Sequence, residues 1–479
     1  MWSKYITRRL AVQVAQAWNF GWGKAMKKVY GVSLENTLIF RDSNKTEYYV
    51  DKKQYENYEE GLYRLLRNEK FVKNFHKEAR SKLEGILEDI EKKFNRNLSE
   101  LSDAELLKIY VNFLLPNVEQ FYARMWTVFN IAEPLAVIFK KESGRPLGDK
   151  SKTDEYLLKL SSQLTPNNVL EERIDILELA RAKNKLSKRE FLERIKRHTK
   201  KYQHIPMFDF DHEPYTASHF LQELKDIKNP DKELGKLKRL FLKNRKNFKK
   251  ITREIKPDKK LKNLLQFLKE NVFLRDYRDM IRQKLNLELR EFYSEAGKRL
   301  GLGVKEAAVL TNDEIIGYLK SHKKFPRGET KKREKNYLLI QKGNKVKIYS
   351  GSQAASKFKN ELDFSRARRS KEIKGVIACQ GFARGRVKVV YTNKDLDKVK
   401  RGDIMVAAVT RQDFVPAMRK TKAIVTDEGG IICHTAIISR ELGIPCIVGT
   451  KVATEILRDG DLIEVDANKG IVRVLKKNR

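Results

Sequence analysis

The chain is poor in the residues that staple, kink or span. Only three cysteines occur among 479 residues, an odd number without framework spacing, which argues against a disulfide scaffold and fits a reducing cytoplasm. Prolines (11) and glycines (25) are scarce, so long helices are expected in preference to many short strands joined by turns. No apolar run reaches membrane-spanning length, and no charged-then-apolar segment follows Met1, so neither a membrane helix nor a secretory leader is read here. Acidic residues are outnumbered: 63 Asp and Glu face 101 Lys and Arg, a formal net charge of +38. Residues 375–479 hold 19 basic and 12 acidic side chains, a net of +7, which leaves +31 for residues 1–374. A basic surface of that size suits the phosphates of RNA or DNA, or reflects a lysine-rich proteome; charge alone says nothing of fold.

What is present is 41% hydrophobic and 34% charged residues, enough for substantial cores beneath wet helix faces, and a length that suggests about three domains. From Trp2 to about residue 148 the pattern is helical, with runs over 5–29, 55–94 and 102–139. In the last of these Leu106, Ile109, Tyr110, Phe113 and Leu114 recur at helical spacing before Pro116, and Val118, Phe121, Met125, Phe129 and Ile131 continue the stripe after it. Short helices are expected over 152–163, 168–183 and 188–201. The stretch 203–215 interrupts them with Pro and aromatic residues. It gathers Asp209, Asp211, His212 and Glu213, with His219 beyond, but no metal-ligand spacing, so a loop leading into a helix capped at Thr216 or Ser218 is the expectation, with no metal site.

Residues 223–263 form the most basic tract, with Leu237, Leu240, Phe241 and Phe248 keeping an apolar stripe; a solvated helix face and a nucleic-acid surface both fit. A helix over 261–302 places Arg275, Arg278 and Arg282 on one face. Three guanidinium groups in a row can hold phosphate or an anionic acceptor, while Asp276, Asp279 and Glu288 offer ordinary salt bridges instead. Residues 323–335 read as a charged linker, 337–349 as a β-hairpin about a Gly343-Asn344 turn, and 351–374 as a polar lead-in. The plan is multidomain: a large all-α N-terminal region (1–335, with a break near 203–215), a hairpin and linker (336–374), and a C-terminal α/β domain (375–479).

The most informative stretch runs from Thr426 to Gly449. A short apolar strand ends near Val425, apolar residues then recur at helical spacing before Gly443, and Gly429-Gly430 between them delivers His434 onto the first turn of that helix. Unpaired N–H groups and the positive end of the helix dipole favour a dianion there, and glycines let backbone amides approach it. His434 is thus placed to carry a phosphoryl group, with Gly429, Gly430, Cys433 and Thr435 around it. On spacing alone a cap or a packed core histidine fits equally well.

The segment from Gly375 to the end resembles the mobile phosphohistidine domain of the phosphoenolpyruvate-utilising enzymes, among them phosphoenolpyruvate synthase, pyruvate phosphate dikinase, the sugar-transport Enzyme I and rifampicin phosphotransferase. The resemblance lies in ordered blocks. These are Gly375-Val-Ile-Ala-Cys-Gln-Gly381 through Gly385-Arg-Val; Gly402-Asp-Ile-Met-Val; Thr410 with Asp413 and Pro416; Ala423-Ile-Val-Thr-Asp-Glu-Gly-Gly; Cys433-His434; Ser439-Arg-Glu-Leu-Gly-Ile-Pro445; and Asp459-Gly-Asp-Leu-Ile-Glu-Val-Asp466. It implies a swivelling β/β/α domain whose His434 accepts phosphate and moves between two active sites. Two positions depart: the family usually has Thr two residues before the histidine and Ala just after it, where this chain has Ile432 and Thr435. The first change removes a hydroxyl near the imidazole, which Thr435 could replace.

The 45 residues after His434 leave no room for the β/α barrel that follows the histidine domain in relatives that make or consume phosphoenolpyruvate. Residues 1–374 lack the strand-rich, glycine-containing pattern of an ATP-grasp domain. The resemblance therefore implies a cytoplasmic phosphotransfer protein of kinase-type transferase chemistry with no cofactor in this chain. ATP and Mg²⁺ would sit on an ATP-grasp donor acting in trans, and the acceptor would be a small or pyruvate-type molecule. Two other readings stay open: a nucleic-acid- or protein-binding module with a relic histidine domain, and one subunit of a split synthase or dikinase.

Overall fold

In a computed structural model, residues 2–478 are described except 9, 44, 148–149, 323–324, 362–371, 392, 411–413 and 431–432. The chain forms two compact units, one of Met1–Leu10, Asn36–Tyr55 and Lys332–Arg479, the other of Ala11–Glu35 and Glu56–Lys331.

The first unit holds two sheets. Strands β1 (Trp2–Arg8), β2 (Asn36–Asp42), β3 (Lys45–Asp51), β4 (Asn336–Lys342) and β5 (Lys345–Ser350) pair antiparallel in the order β1-β3-β2-β4-β5. The N-terminal region is mostly helical, as its composition implies, but these first three strands lie within it, and residues 5–8 are extended where a helix was expected. The β1 pattern decides little locally; its partner β3 lies some forty residues on, and tertiary pairing overrides a weak helical signal. In β2 and β3 the β-branched and aromatic residues Thr37, Ile39, Phe40, Tyr48, Tyr49 and Val50 are the β-forming signal. One face of this sheet packs Leu38, Phe40, Tyr49, Leu338 and Ile340 against Ala354 and Phe358 of the helix Gly351–Glu361, with the Phe40 and Phe358 rings stacked 3.9 Å apart.

The second sheet contains β6 (Glu372–Lys374), β7 (Val376–Cys379), β8 (Phe382–Val390), β9 (Ile404–Ala407), β10 (Ala423–Thr426), β11 (Cys446–Val448), β12 (Leu462–Asp466) and β13 (Ile471–Lys476), ordered β6-β13-β12-β8-β9-β10-β11-β7. Its centre, β8-β9-β10-β11, is parallel, and its flanks are antiparallel. Side chains alternate along these strands, so the sheet is covered on both faces. Ile404, Val406, Ala423, Val425 and Ile447 join one core with Leu457 and Val465. Met405, Ala407, Ile424, Cys446 and Val448 join another with Phe414, Met418 and Ala436.

The second unit is helical. Its longest helix, Lys259–Arg299, has 41 residues and packs along Glu69–Phe94, where Phe75 and Phe94 meet Phe267 and Phe292 at ring distances of 6.0 and 6.1 Å. The expected run 55–94 is two helices, Lys52–Arg67 and Glu69–Phe94, because the Asn68 side chain caps the second by accepting from the Phe71 amide at 3.0 Å. Pro116 follows a π-helical turn, Tyr110–Leu114, that joins Asp103–Ile109 to Leu115–Asn130, a widened turn of the kind that accommodates a missing N–H inside a helical run.

Between Tyr202 and Ala217 there is no helix. Instead Gln283, Asn286 and Arg290 of the long helix donate to the carbonyls of Ile205, Met207, Phe210 and His212, which lets an irregular segment stay buried with its backbone satisfied. Thr216 occupies the cap position of the next helix but its hydroxyl pairs with that of Ser218 at 2.7 Å and does not cap. Among the described residues no cluster of His, Cys, Asp and Glu could hold a metal ion, and no helix is long and apolar enough to cross a membrane. Of the segment expected to be a linker, Lys323 and Lys324 lie outside the described residues, while Arg327–Lys335 is a helix; Lys, Arg and Glu are good helix formers, and the Thr330 hydroxyl anchors its start by donating to the Arg327 carbonyl and the Glu306 carboxylate. Of the lead-in 351–374, residues 362–371 lie outside the described residues.

Candidate functional site

The Gly-Gly loop is built from the end of β10. Thr426 closes that strand, and its carbonyl accepts from both the amide and the hydroxyl of Thr450 at 3.0 Å. The Asp427 and Glu428 amides bond to the carbonyls of Ala407 and Ala408, which carries the β9 register one step beyond the sheet. The chain then turns at Gly429, whose φ of +105° is one that side-chain-bearing residues rarely adopt. A Cβ there would lie 2.6 Å from the Cys433 Sγ. Gly430, by contrast, would place a Cβ in open space.

The helix that follows runs from His434 to Leu442, with His434 as its first residue. Cys433 is its cap: the Sγ accepts from the Ala436 amide at 3.4 Å, a weaker version of the usual hydroxyl cap. Gly443, at φ +66°, ends the helix in the left-handed conformation. Nine residues thus present a dipole N-terminus that begins four residues after Gly430, an arrangement able to receive an anion.

Thr435 is fully buried, and its hydroxyl shares a hydrogen bond of 2.9 Å with that of Thr410. Thr410 belongs to a sequence block in which nothing local assigns it a role; its place beside the helix start is not legible in the sequence, because the two residues meet only through the fold. Ile432 and Asp413, the departing and the quoted positions, lie outside the described residues.

An ion network adjoins the loop. Asp427 is 1% exposed and takes hydrogen bonds from the amide and hydroxyl of Thr454. Burial pushes its carboxyl above the ordinary range, against the opposing charge of Lys4. Lys4 of β1 reaches Glu47 at 2.9 Å and Glu455 at 2.8 Å. Burial opposes its charge, yet these two carboxylates and Asp427 together hold it above the usual lysine value. Glu47 is likewise disfavoured by burial, but Lys4 and Lys45 win and bring it down to about 2. The Thr7 amide donates to the Glu428 carboxylate. The five-stranded sheet is therefore fastened to the two residues that precede the Gly-Gly turn. No local sequence signal links Lys4 to Asp427.

The three arginines of the long helix belong to the other unit. Arg278 and Arg282 both contact Asp279, at 3.6 and 3.3 Å, as the salt-bridge reading anticipated. Asp276 instead accepts from the side-chain amides of Gln163 and Asn167, and no ion pair from Glu288 to these arginines is found among the described residues. Arg275 and Arg278 lie over the Phe129 ring, and Arg282 over that of Phe208.

Residues 399–470 match the family model described as PEP-utilising enzyme, mobile domain. The chain is 55% identical over 108 residues to a probable phosphoenolpyruvate synthase of Archaeoglobus fulgidus, covering 22% of this chain and 14% of that protein. This segment matches the mobile domain of the PEP-utilising enzymes. With the phosphoenolpyruvate synthase of Pyrococcus furiosus the identity is 40% over 171 residues, 35% of this chain and 21% of that one. The chain thus spans only 14% to 21% of the length of these two relatives. Among solved structures, the crystal structure of Thermococcus kodakaraensis aconitase X aligns with 22% of this chain and all of its own at 23% identity and a TM-score of 0.19, a likeness too slight to build on. The mobile domain contains the whole Gly-Gly loop and the helix opened by His434.

Proposed function

We propose that His434 is a phosphohistidine carrier: it takes a phosphoryl group from a donor and hands it to an acceptor. The single observation that supports this best is the position of His434, first residue of a helix that begins four residues after Gly430, inside the segment that matches the mobile domain of the PEP-utilising enzymes. An unperturbed imidazole titrates at about 6.5, so a nucleophilic neutral form is plentiful near pH 7. In the first step a ring nitrogen forms the N–P bond while the donor's P–O bond breaks, its electron pair leaving on the donor oxygen. In the second an acceptor oxygen attacks phosphorus, the N–P bond breaks, and imidazole is regenerated. Dividing one transfer into two in this way is covalent catalysis. Because such transfers depend on positioning and charge stabilisation, the amides of the Gly-Gly turn and helix start would steady the phosphate.

The donor in this proposal is an ATP-grasp protein acting in trans, which would hold ATP and Mg²⁺; the acceptor is a small or pyruvate-type molecule. A second reading, one subunit of a split phosphoenolpyruvate synthase, draws on the relatives' names. Incubation with a candidate ATP-grasp partner and ATP labelled on the transferred phosphate should give an acid-labile, base-stable label that is lost in His434→Ala. Label that persists in that variant would sink the assignment. Restoration of pyruvate and phosphoenolpyruvate interconversion by adding a separate barrel chain would select the split-synthase form. Salt-dependent retention on RNA with no phosphohistidine under any donor would favour a relic domain in a binding module.

A further inference from the structure

The long helix of the second unit carries two arginines, Arg278 and Arg282, whose buried Nε donors are unmet among the described residues. The side chains of Arg278 and Arg282 are only 6% and 12% exposed. Among the described residues, the ion pairs of both run to the same carboxylate, Asp279, at 3.6 and 3.3 Å. Arg278 adds one long bond, 3.4 Å, to the Met125 carbonyl. The Nε atoms of both arginines are buried with no acceptor among the described residues. A buried guanidinium with an unmet donor is costly. Asp276, another acid on this stretch, accepts from the side-chain amides of Gln163 and Asn167 and also feels the charges of Arg275 and Arg278.

The neighbours are suited to an organic anion. The Phe129 ring lies 5.6 and 5.2 Å from the guanidinium carbons of Arg275 and Arg278, and that of Phe208 lies 5.2 Å from Arg282, which fixes the planes of the guanidinium groups. Tyr122, fully buried, feels the charge of Arg282. Asp279 is 35% exposed, so the cluster opens to solvent on that side. Burial above all, with the like charges of Arg282 and Arg275, brings Arg278 down to about 10 against the attraction of Asp279 and Asp276.

We infer that Arg275, Arg278 and Arg282 form a binding site for the oxyanion group, phosphate or carboxylate, of a small acidic molecule, with Phe129 and Phe208 flanking it. An oxyanion accepts several N–H bonds at once and matches the guanidinium fork, which supplies the acceptors that both Nε atoms lack. The site stands apart from the phosphohistidine reading, since it needs no step at His434.

The test is calorimetric titration of the full chain with inorganic phosphate, pyruvate and phosphoenolpyruvate in turn. Saturable binding of at least one is expected, weakened about tenfold or more in Arg282→Gln, the loss of a charge-assisted bond, and less in Arg282→Lys, which keeps the charge but not the fork. Phosphate without pyruvate identifies a phosphate site, the reverse a carboxylate site. Arg278→Gln should act similarly; if it does not fold, the more exposed Arg282 decides. His434→Ala should bind as the unaltered chain does, so this proposal and the carrier proposal can fail separately. No saturable binding of any of the three, or binding indifferent to Arg282→Gln in a folded protein, overturns the site.

Discussion

Replacing Gly429 by alanine tests the loop geometry more sharply than any other change. The new methyl would sit 2.6 Å from the Cys433 Sγ and 3.0 Å from its Cβ, on a backbone at φ +105°. The conformation alone costs a side-chain-bearing residue about 1–3 kcal/mol. Relief of the clash by turning the Cys433 side chain would release the Ala436 amide from its cap, which adds about 0.5–1 kcal/mol for so weak a cap. Together Gly429→Ala should destabilise the first unit by roughly 2–4 kcal/mol, lowering its thermal transition by roughly 4–16 °C. Gly430→Ala is the control: its Cβ meets nothing, so stability should change by no more than about 0.5 kcal/mol. If Gly430 serves close approach of a phosphate, that variant keeps its stability yet loses histidine labelling. Adding Cys433→Ala to Gly429→Ala should recover part of the loss, a coupling of about 0.5 kcal/mol or more. Calorimetry and labelling on the unaltered chain, the three single variants Gly429→Ala, Gly430→Ala and Cys433→Ala, and the double variant measure all of this, and a Gly429→Ala protein as stable as Gly430→Ala would refute the loop geometry.

Other expectations follow from buried charges and hydroxyls. Lys4→Met removes the charge that faces Glu455 and Asp427 and leaves Glu47 paired with Lys45 alone among the described residues; with Lys4 17% exposed, a loss of about 1–3 kcal/mol in denaturant unfolding is expected. Glu47, held at about 2 against an ordinary 4.5, contributes stability that is complete above 4.5 and is lost as pH falls towards 2; Glu47→Gln should flatten that acid limb, worth about 2–3 kcal/mol. Glu288 runs the other way: burial, with Glu291 and Glu91, raises it to about 7, so its ionisation opposes folding as pH rises from 4.5 to 7. Glu288→Gln should stabilise by about 1–2 kcal/mol at pH 8, after allowance for its partial exposure, and be neutral at pH 4. Thr410→Val orphans the buried Thr435 hydroxyl and should cost about 1–3 kcal/mol.

How much of this was legible depended on whether the signal was contiguous. The strand, Gly-Gly turn and helix around His434 lie within one short stretch, so turn residues and helical spacing placed them without the fold. The same holds for the hairpin about Gly343, where a Gly-Asn pair separates two apolar runs, and for the common helix of Arg275, Arg278 and Arg282. The five-stranded sheet escaped notice because it joins β1, β2 and β3 to β4 and β5 across nearly three hundred residues, and a helical surrounding obscured its β-branched and aromatic runs. The fastening of Asp427 and Glu428 by Lys4 and Thr7 was illegible for the same reason. Thr435 was offered as a stand-in hydroxyl at the helix start, whereas its side chain is buried against Thr410; spacing gives a residue's place on a helix but not which face the fold will cover.

The central claim is that phosphate is carried on His434, and the direct measurement is mass spectrometry at neutral or basic pH of the tryptic peptide Ala423–Arg440, taken from the chain after exposure to a phosphoryl donor. The account predicts one added phosphoryl group, localised by fragmentation to His434 and lost on brief acid treatment. A phosphoryl group on Thr426, Thr435 or Ser439, or an unmodified peptide under donors that label a known phosphohistidine protein in the same mixture, would contradict it.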